Sequence, residues 1–458
     1  MKKRKMDIHS ITLTIFILCS FLFVGVVSAD EEDAKVFTLQ ESIQTALINN
    51  SSIKAKEEKI QEALYGEEKA KADFYPKLST IYGYTRLDEV KRSPGTVSTI
   101  TIPGLPQGTI RSSARDMNSL DNYQWKSTIS QTLFAGYAVV SAHELAKLGI
   151  DSAKIDLELE KLNLVLDVKE AYFNILKAEK GMDVAEKAVA LLESQVDVSR
   201  NFYEVGMIPV NDLLKAEVEL ANTRHNYIKA QNAVKLSYSA FNMLLSLPID
   251  SPVKVEDILV FSPETPNLEQ YMEKALDSRP EIQALDLNVL QVDQQIRLAK
   301  SKYYPAVSFT YDYIKAGDDP SVSGSDFHDD ESWQAMIGMS WTLWDWGKRR
   351  SSVREAESLK RQLVHTRKVL ENGIRLDIKR AILNLEQAEQ NIPTAKKAVE
   401  QAEENLRVSQ ERYKAQVTTS TEVLDAQTLL SQARTNYYSA LYDHNLAKAA
   451  LLRAMGEY

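Results

Sequence analysis

The side chains best able to do chemistry are scattered along this chain. Five histidines lie beyond residue 29, at His143, His225, His328, His365 and His444, and none has the spacing of a metal-ligand pair. There is no phosphate-cradling glycine loop and no nucleophile elbow. Carboxylates gather in two places. Asp318-Asp319 and Asp329-Asp330 fall in a Gly/Ser/Pro-containing stretch, Ala316 to Glu331. That stretch reads as a hydrated loop or as a weak divalent-cation site, with no regular ligand spacing to favour the ion. Glu422 and Asp425 stand three apart on one helical face, and on their residues alone they make a solvated, acidic helix start. Nothing here supports catalysis, so the expectation is no enzyme, no cofactor and no metal.

The elements that must carry these residues begin after residue 29. Lys2, Lys3, Arg4 and Lys5 precede an apolar run from Ile11 to Val27, and Val27-Ser28-Ala29 stands before Asp30. That order predicts a cleaved secretory signal over 1–29; a retained helix would need a longer apolar run. The only cysteine, Cys19, lies inside it behind Leu18, which is too large for a lipid-anchoring signal, so the mature chain has no thiol or disulfide chemistry. Losing 1–29 removes four positive charges and Asp7 and moves the net charge from −9 to −12. An acidic chain with no basic stripe is a poor partner for nucleic acid. No later segment has 18 consecutive apolar residues, so any membrane crossing is by strands.

The chain repeats itself. Leu39, Ile43, Ala46, Leu47, Ile53 and Phe74-Tyr75-Pro76 recur 229 residues later as Leu268, Met272, Ala275, Leu276, Ile282 and Tyr303-Tyr304-Pro305. Further on the offset is 210: Tyr203, Leu214, Ala216, Arg224 and Tyr227 match Tyr413, Leu424, Ala426, Arg434 and Tyr437. The difference is about the extra length of the first copy's loop around 88–121. Two tandem units follow. The first spans 30–247, with a β-hairpin at about 78–134 and a helical hairpin at about 137–247. A proline-rich connector occupies 248–267. The second unit spans 268–458, with a β-hairpin at about 306–344 and a helical hairpin at about 348–456. Each unit is expected to run helix, strand, loop, strand, long helix, helix.

In the second unit Val307, Phe309, Tyr311 and Tyr313 alternate with Ser308, Thr310 and Asp312, and Trp333 to Leu343 alternates likewise. Period-two alternation with aromatic ends fits a transmembrane β-strand, and it fits a half-buried hairpin as well. The first unit alternates less cleanly, poorly so from Leu78 to Arg86. Four strands cannot close a barrel, so a membrane reading requires several chains. From Tyr137 to Glu204 there is no proline, enough for one helix roughly 100 Å long. Met182, Ala185, Val189, Leu192, Val196, Ser199 and Tyr203 step by 3 and 4, as do Ile392, Ala395, Val399, Ala402, Leu406, Ser409 and Tyr413. That pattern gives coiled-coil hairpins, with a local kink expected at Pro393. A secreted scaffold or adhesin would share the signal and the heptads but not the paired hairpins. A passive porin would need many more strands per chain.

These residues resemble TolC-type outer-membrane efflux proteins. The resemblance rests on Tyr203-Glu204-Val205-Gly206 with Asn211-Asp212-Leu213-Leu214-Lys215-Ala216. It also rests on the echo Tyr413 with Thr421-Glu422-Val423-Leu424-Asp425-Ala426-Gln427, and on the junctions Tyr75-Pro76 and Tyr304-Pro305. It implies an α+β membrane protein: a homotrimer of internally duplicated chains, each giving four strands to a 12-stranded outer-membrane β-barrel and long helical hairpins to a periplasmic α-barrel. The implied partners are a periplasmic adaptor, an inner-membrane transporter and outer-membrane lipid, and drugs, metal ions and polypeptides all remain open as cargo. Glu422 and Asp425 match acidic positions lining the aperture. Asp212 and Tyr413 match positions that link neighbouring helix pairs at the gate. Val205, Gly206 and Met207 match the turn that docks the adaptor, where the second copy has Ala415-Gln416-Val417. Thr418 stands where some relatives place an arginine, which leaves an ionic latch without its expected cation.

Overall fold

The computed structural model describes residues 35–258, 261, 263 and 267–458. The expected signal over 1–29 and part of the connector lie outside them. The chain begins with a short strand, β1 (Lys35–Phe37), then α1 (Leu39–Asn49) and α2 (Ser51–Ala72). The strand β2 (Lys77–Arg86) leads into four short strands, β3 (Arg92–Ser93), β4 (Val97–Ile100), β5 (Gly108–Arg111) and β6 (Arg115–Asp116). Next come β7 (Asp121–Ala135), α3 (Ala138–Glu204), α4 (Val210–Leu244) and β8 (Val253–Val255). The second unit is α5 (Leu268–Ser278), α6 (Pro280–Ser301), β9 (Ala306–Gly317), β10 (Glu331–Ser340), α7 (Lys348–Lys414) and α8 (Ser420–Met455).

The duplication is carried into three dimensions almost element for element. α1 and α5 have 11 residues each, α2 and α6 have 22, and α3 and α7 have 67. The two longest helices each span about 100 Å at 1.5 Å per residue. The single leading helix expected in each unit is two helices. In the first unit Asn50 takes an extended conformation and its Oδ1 accepts the Ser52 N–H at 2.8 Å, starting a new helix. In the second, Arg279 precedes Pro280, whose ring forces the residue before it out of the helical region and then serves as the first helical position. The expected kink at Pro393 does not interrupt α7, which is continuous from 348 to 414. The proline stands on an exposed face beside buried Ile392.

The connector is not wholly irregular. β8 pairs in parallel with β1, Lys35 opposite Val253. The Tyr172 hydroxyl on α3 donates to the carbonyls of Phe37 at 3.1 Å and Glu256 at 2.8 Å, tying both segments to the long helix. Phe37, Tyr172 and Phe241 meet edge to face around this point. The second unit builds a matching core from Ala275, Ile282, Ile374, Ile378, Ile382 and Leu385. Full burial of each large aliphatic or aromatic side chain here contributes about 1.5–3 kcal/mol.

The four main strands form one antiparallel sheet in the order β10-β9-β7-β2, so β10 and β2 each have one unpaired edge. Beyond its outer end the first copy's loop is not irregular as expected. It continues as an arm of two small ladders, β3 with β6 and β4 with β5.

Each passage from strand to long helix uses two consecutive left-handed residues, Gly136-Tyr137 and Trp346-Gly347. In both, an aromatic residue holds one of the two left-handed positions. At Gly136 a Cβ would collide with the Ser301 carbonyl and the Tyr304 side chain, whereas at Gly347 the space is open. Gly347→Ala is therefore expected to cost about 1 kcal/mol, the left-handed backbone alone. Gly136→Ala costs that plus a backbone clash, and ranks as clearly the more damaging in thermal melts followed by helical circular dichroism. Equal melting temperatures for the two would overturn this account of the junction.

Candidate functional site

Two regions collect the residues that position and charge can make functional: the faces of the sheet and the tips of the helical hairpins. Cross-strand partners share a face, so the register sorts the side chains. Tyr82 opposes Trp125, which opposes Lys315; Leu78 opposes Ile129, which opposes Tyr311, which opposes Ala335. With Tyr84, Tyr123, Phe309, Tyr313, Trp333, Ile337 and Met339 they make one face dominated by aromatic and aliphatic groups. Tyr311 and Trp333 stack on it with centroids 6.0 Å apart.

The opposite face carries Ser79, Gly83, Gln124, Thr128, Ser130, Ser308, Thr310, Asp312, Gln334 and Gly338, with Ile81, Ile314 and Met336 as apolar exceptions. A polar row crosses three strands on this side. Thr128 Oγ1 donates to Asp312 Oδ1 at 2.6 Å, Gln334 Nε2 donates to Asp312 Oδ2 at 2.9 Å, and Lys126 Nζ lies 3.0 Å from the same carboxylate. A one-residue slip of β9 would carry Asp312 to the apolar face, so the row fixes the register. Alternation marked Asp312 as polar-facing, but its three partners depend on register and were not legible.

At the helix tips the two turns have the same backbone despite different sequences. The Met207 N–H bonds to the Phe202 carbonyl at 2.8 Å and that of Val417 to the Arg412 carbonyl at 3.0 Å, each around a left-handed residue, Gly206 or Gln416. These are Schellman closures, which satisfy the last carbonyls of a helix. Val205 and Met207 are exposed at the first tip and Val417 at the second.

Just above the turns Tyr413 is buried with Leu406, Val423, Ala426 and Leu430 of its own hairpin and packs on Phe202 of α3. Its hydroxyl is 3.0 Å from Ser199 Oγ, a buried hydrogen bond that joins the two hairpins of one chain. Asp212, which the resemblance places with Tyr413 among the links between helix pairs, acts on Tyr413 within the chain through its charge. Burial pushes the Tyr413 hydroxyl pKa up, Asp212 adds to the rise, and the Ser199 bond opposes it. Ser199 appears in the sequence as a seam position of α3, with nothing local to mark it as a tether.

The acidic pair divides. Glu422 is held by Arg412 Nη1 at 2.7 Å and by the Thr418 hydroxyl, which donates to it. The cation missing at 418 is thus supplied from ten residues away, across the turn. Asp425 is exposed and lines an open groove between α4 and α8 with Asn211, Leu214 and Lys215. The histidines stay apart: His143 with Glu67 at 2.5 Å, His328 with Asn122 at 3.0 Å, and His444 against Phe261.

The family model for "Outer membrane efflux protein" matches residues 42–245 and 271–457, both units in turn. The chain belongs to the outer membrane efflux protein family. It is 24% identical over 300 residues to outer membrane protein TolC of Vibrio cholerae, covering 63% of this chain and 66% of that one. It is 23% identical over 307 residues to TolC of Escherichia coli, covering 62% and 60%. The alignments thus span slightly under two thirds of those relatives' length. The fold superposes on the Campylobacter jejuni CmeC outer membrane channel with a TM-score of 0.74 at 15% identity, over 91% of this chain and 85% of that one. As an outer membrane efflux protein this chain is an outer-membrane protein, and its family consists of channels, not enzymes. The gap between the two matched stretches coincides with the connector and β8.

The tether gives a direct test. Removing either hydroxyl, by Ser199→Ala or Tyr413→Phe, leaves a buried polar group unpaired and is expected to cost about 1–3 kcal/mol. The double variant should cost little more than either single one, while Asp212→Ala should add independently. Because the folded pKa of Tyr413 lies above the free value of about 10, its contribution is full below pH 10 and fades as pH rises through the shifted value. Simple additivity of Ser199→Ala and Tyr413→Phe in denaturant melts would remove the tether.

Proposed function

We propose that three copies of this chain close into an export channel, with the sheets completing a 12-stranded barrel in the outer membrane and the helices forming a periplasmic tunnel. The observation that carries this reading is unequal burial of equivalent positions in the two units. Tyr413 is 3% exposed and its counterpart Tyr203 is 42% exposed; Leu424 is 9% and Leu214 is 51%. On the other flank the order reverses: Phe173 is 4% exposed and Leu383 is 48%. The faces that meet inside the chain, between the first hairpin and the second, are presented outward again at its two ends. A head-to-tail contact of this kind closes into a ring when the rotation allows, and two hairpins per chain make six around a threefold axis.

The sheet argues the same way. In hydrocarbon each unpaired backbone group costs several kcal/mol, so the edges of β2 and β10 must meet those of neighbouring copies. The aromatic face then meets lipid and the face bearing Lys126, Asp312 and Gln334 meets water, as in transmembrane barrels. Among the described residues no helix is long and apolar enough to cross a membrane.

The helix tips form the gated entrance. A periplasmic adaptor docks on the exposed turn Val205, Gly206 and Met207, and an inner-membrane transporter delivers cargo. The Ser199–Tyr413 bond holds the second hairpin against the first within each copy. Asp425, free of an ion pair among the described residues, supplies the charge of the aperture; Glu422 is already balanced by Arg412.

Two measurements test this. Extraction from the outer membrane should require detergent and give a trimer that dissociates on heating; release of a soluble monomer by salt would sink the channel. In planar bilayers Asp425→Asn should reduce cation selectivity more than Glu422→Gln. Each exposed carboxylate attracts a cation at about 4 Å by about 1 kcal/mol in a watery opening. Unchanged selectivity in Asp425→Asn would take that residue out of the aperture.

A further inference from the structure

The arm between β2 and β7 has no counterpart in the second unit, and its composition is unlike the rest of the chain. From Leu87 to Leu120 there are four cations, Lys91, Arg92, Arg111 and Arg115, against three acids, Asp88, Glu89 and Asp116, a balance of +1 in a chain whose net charge is −9. Arg92 pairs with Asp116 at 2.8 Å, and the other three have no ion pair among the described residues. The fingertip is apolar. Pro103-Gly104 turns the chain, with Gly104 left-handed and the Leu105 N–H bonded to the Ile102 carbonyl at 3.1 Å. Ile102 and Leu105 flank this turn and are exposed. Just behind them Ile100 and Ile110 share one face of the β4–β5 ladder and are exposed as well. Arg111 lies three rungs behind the last ladder pair, about 10 Å back along the strand.

A turn that presents aliphatic side chains, with Arg111 about 10 Å behind the end of the ladder and Lys91 and Arg115 further back on the second ladder, is the profile of an element that enters a lipid headgroup region and places its charges at the phosphates. The arm is also continuous with the aromatic face of the sheet, through Tyr84 and Arg86 at the outer end of β2. We infer that this arm docks on the anionic outer leaflet of the membrane that holds the channel, with Ile102 and Leu105 in the headgroup–acyl boundary and Lys91, Arg111 and Arg115 at the lipid phosphates. The inference rests on the reading of the sheet as membrane-spanning. Capping of the pore by the three arms is disfavoured by charge: it would bring together three copies of Lys91, Arg111 and Arg115, which have no ion pair among the described residues. The bend between the two ladders, at Pro94-Gly95 opposite Ser112, is where the arm turns. Gly95 packs too closely on the Ser112 carbonyl to admit a Cβ.

The test uses the full-length chain in proteoliposomes, with Cys19, its only cysteine, changed to serine and a bimane label placed on Leu105→Cys. In vesicles containing phosphatidylglycerol the label should shift to the blue and be quenched by nitroxide-bearing lipid. In phosphatidylcholine alone the effect should be several-fold weaker, and about 1 M salt, where screening falls to about 3 Å, should abolish the difference. Changing Lys91, Arg111 and Arg115 to Gln should weaken docking about fivefold per residue. A second label on Ile337→Cys, on the aromatic face of β10, reports the sheet itself. If that label is in lipid and the Leu105→Cys label stays in water, the docking inference is overturned and the channel reading stands. Quenching that ignores lipid charge, or disulfides between copies through Leu105→Cys in unlabelled protein, also overturns it, the latter in favour of a cap. If the Ile337→Cys label is itself in water, the membrane-spanning sheet falls and the docking inference falls with it.

Discussion

The unpaired edge of a β-strand is the constraint on which the rest of this molecule depends. Four strands with one aromatic and one polar face are stable against water on one side only, and they cannot stand alone in hydrocarbon. Every feature that makes the sheet suitable for lipid also makes a single copy inadequate. β2 at one end and β10 at the other each pair on one side only. The polar row through Thr128, Asp312 and Gln334 fixes the register of the inner strands, so the outer edges are held at a defined height for whatever pairs with them. The proposed ring of copies would resolve the conflict with no new element, because it would join edges that already exist.

The same logic extends down the helices. Duplication alone would give two identical hairpins. In the proposed ring, one hairpin-to-hairpin contact is used internally and its two halves are left over outside. Tyr413 buried against Phe202 and Ser199 is the internal version, and exposed Tyr203 marks an unused half. Divergence between the units then has a physical meaning. The position equivalent to Phe202 is Arg412, which has turned to Glu422 and closed the second tip with an ion pair. An apolar ring at one tip and a guanidinium at the other give two turns of the same backbone shape but different cohesion.

Much of this architecture was legible in the sequence, and what was missed shares a cause. The limits of α3 follow from the absence of interior proline and from the 3-4 spacing, which are local signals; in α7 the same spacing runs on past Pro393. Strands β9 and β10 could be read because Val307, Phe309, Tyr311 and Tyr313, and then Trp333, Ile337 and Met339, are large and apolar at alternate positions. β2 could not, because Ile81 stands on the polar side and Thr80 on the apolar one, and only pairing with β7 decides its face. The splits at Asn50 and Arg279 carried signals, an Asx cap and a residue before proline, that the helical periodicity outweighed. The arm escaped because strands of two to four residues carry almost no pattern. Ser199 and Arg412 escaped for a different reason. Their roles are set by partners 214 and 10 residues away, and a single sequence gives no sign of which seam residue meets which.

The tip combines two kinds of hold with different physical consequences. The Ser199–Tyr413 bond is neutral and buried, so salt does not screen it and it weakens only when the tyrosine ionises at high pH. The Arg412–Glu422 pair is half-exposed, contributes about 0–1 kcal/mol, and is screened by salt. The first joins one hairpin to the other; the second only closes a turn within one hairpin. Separating the second hairpin from the first would therefore break the buried neutral bond and leave the ion pair intact. Under the proposed gating the second hairpin would keep its shape while its attachment changes, and the exposed Asp425 would be carried with it.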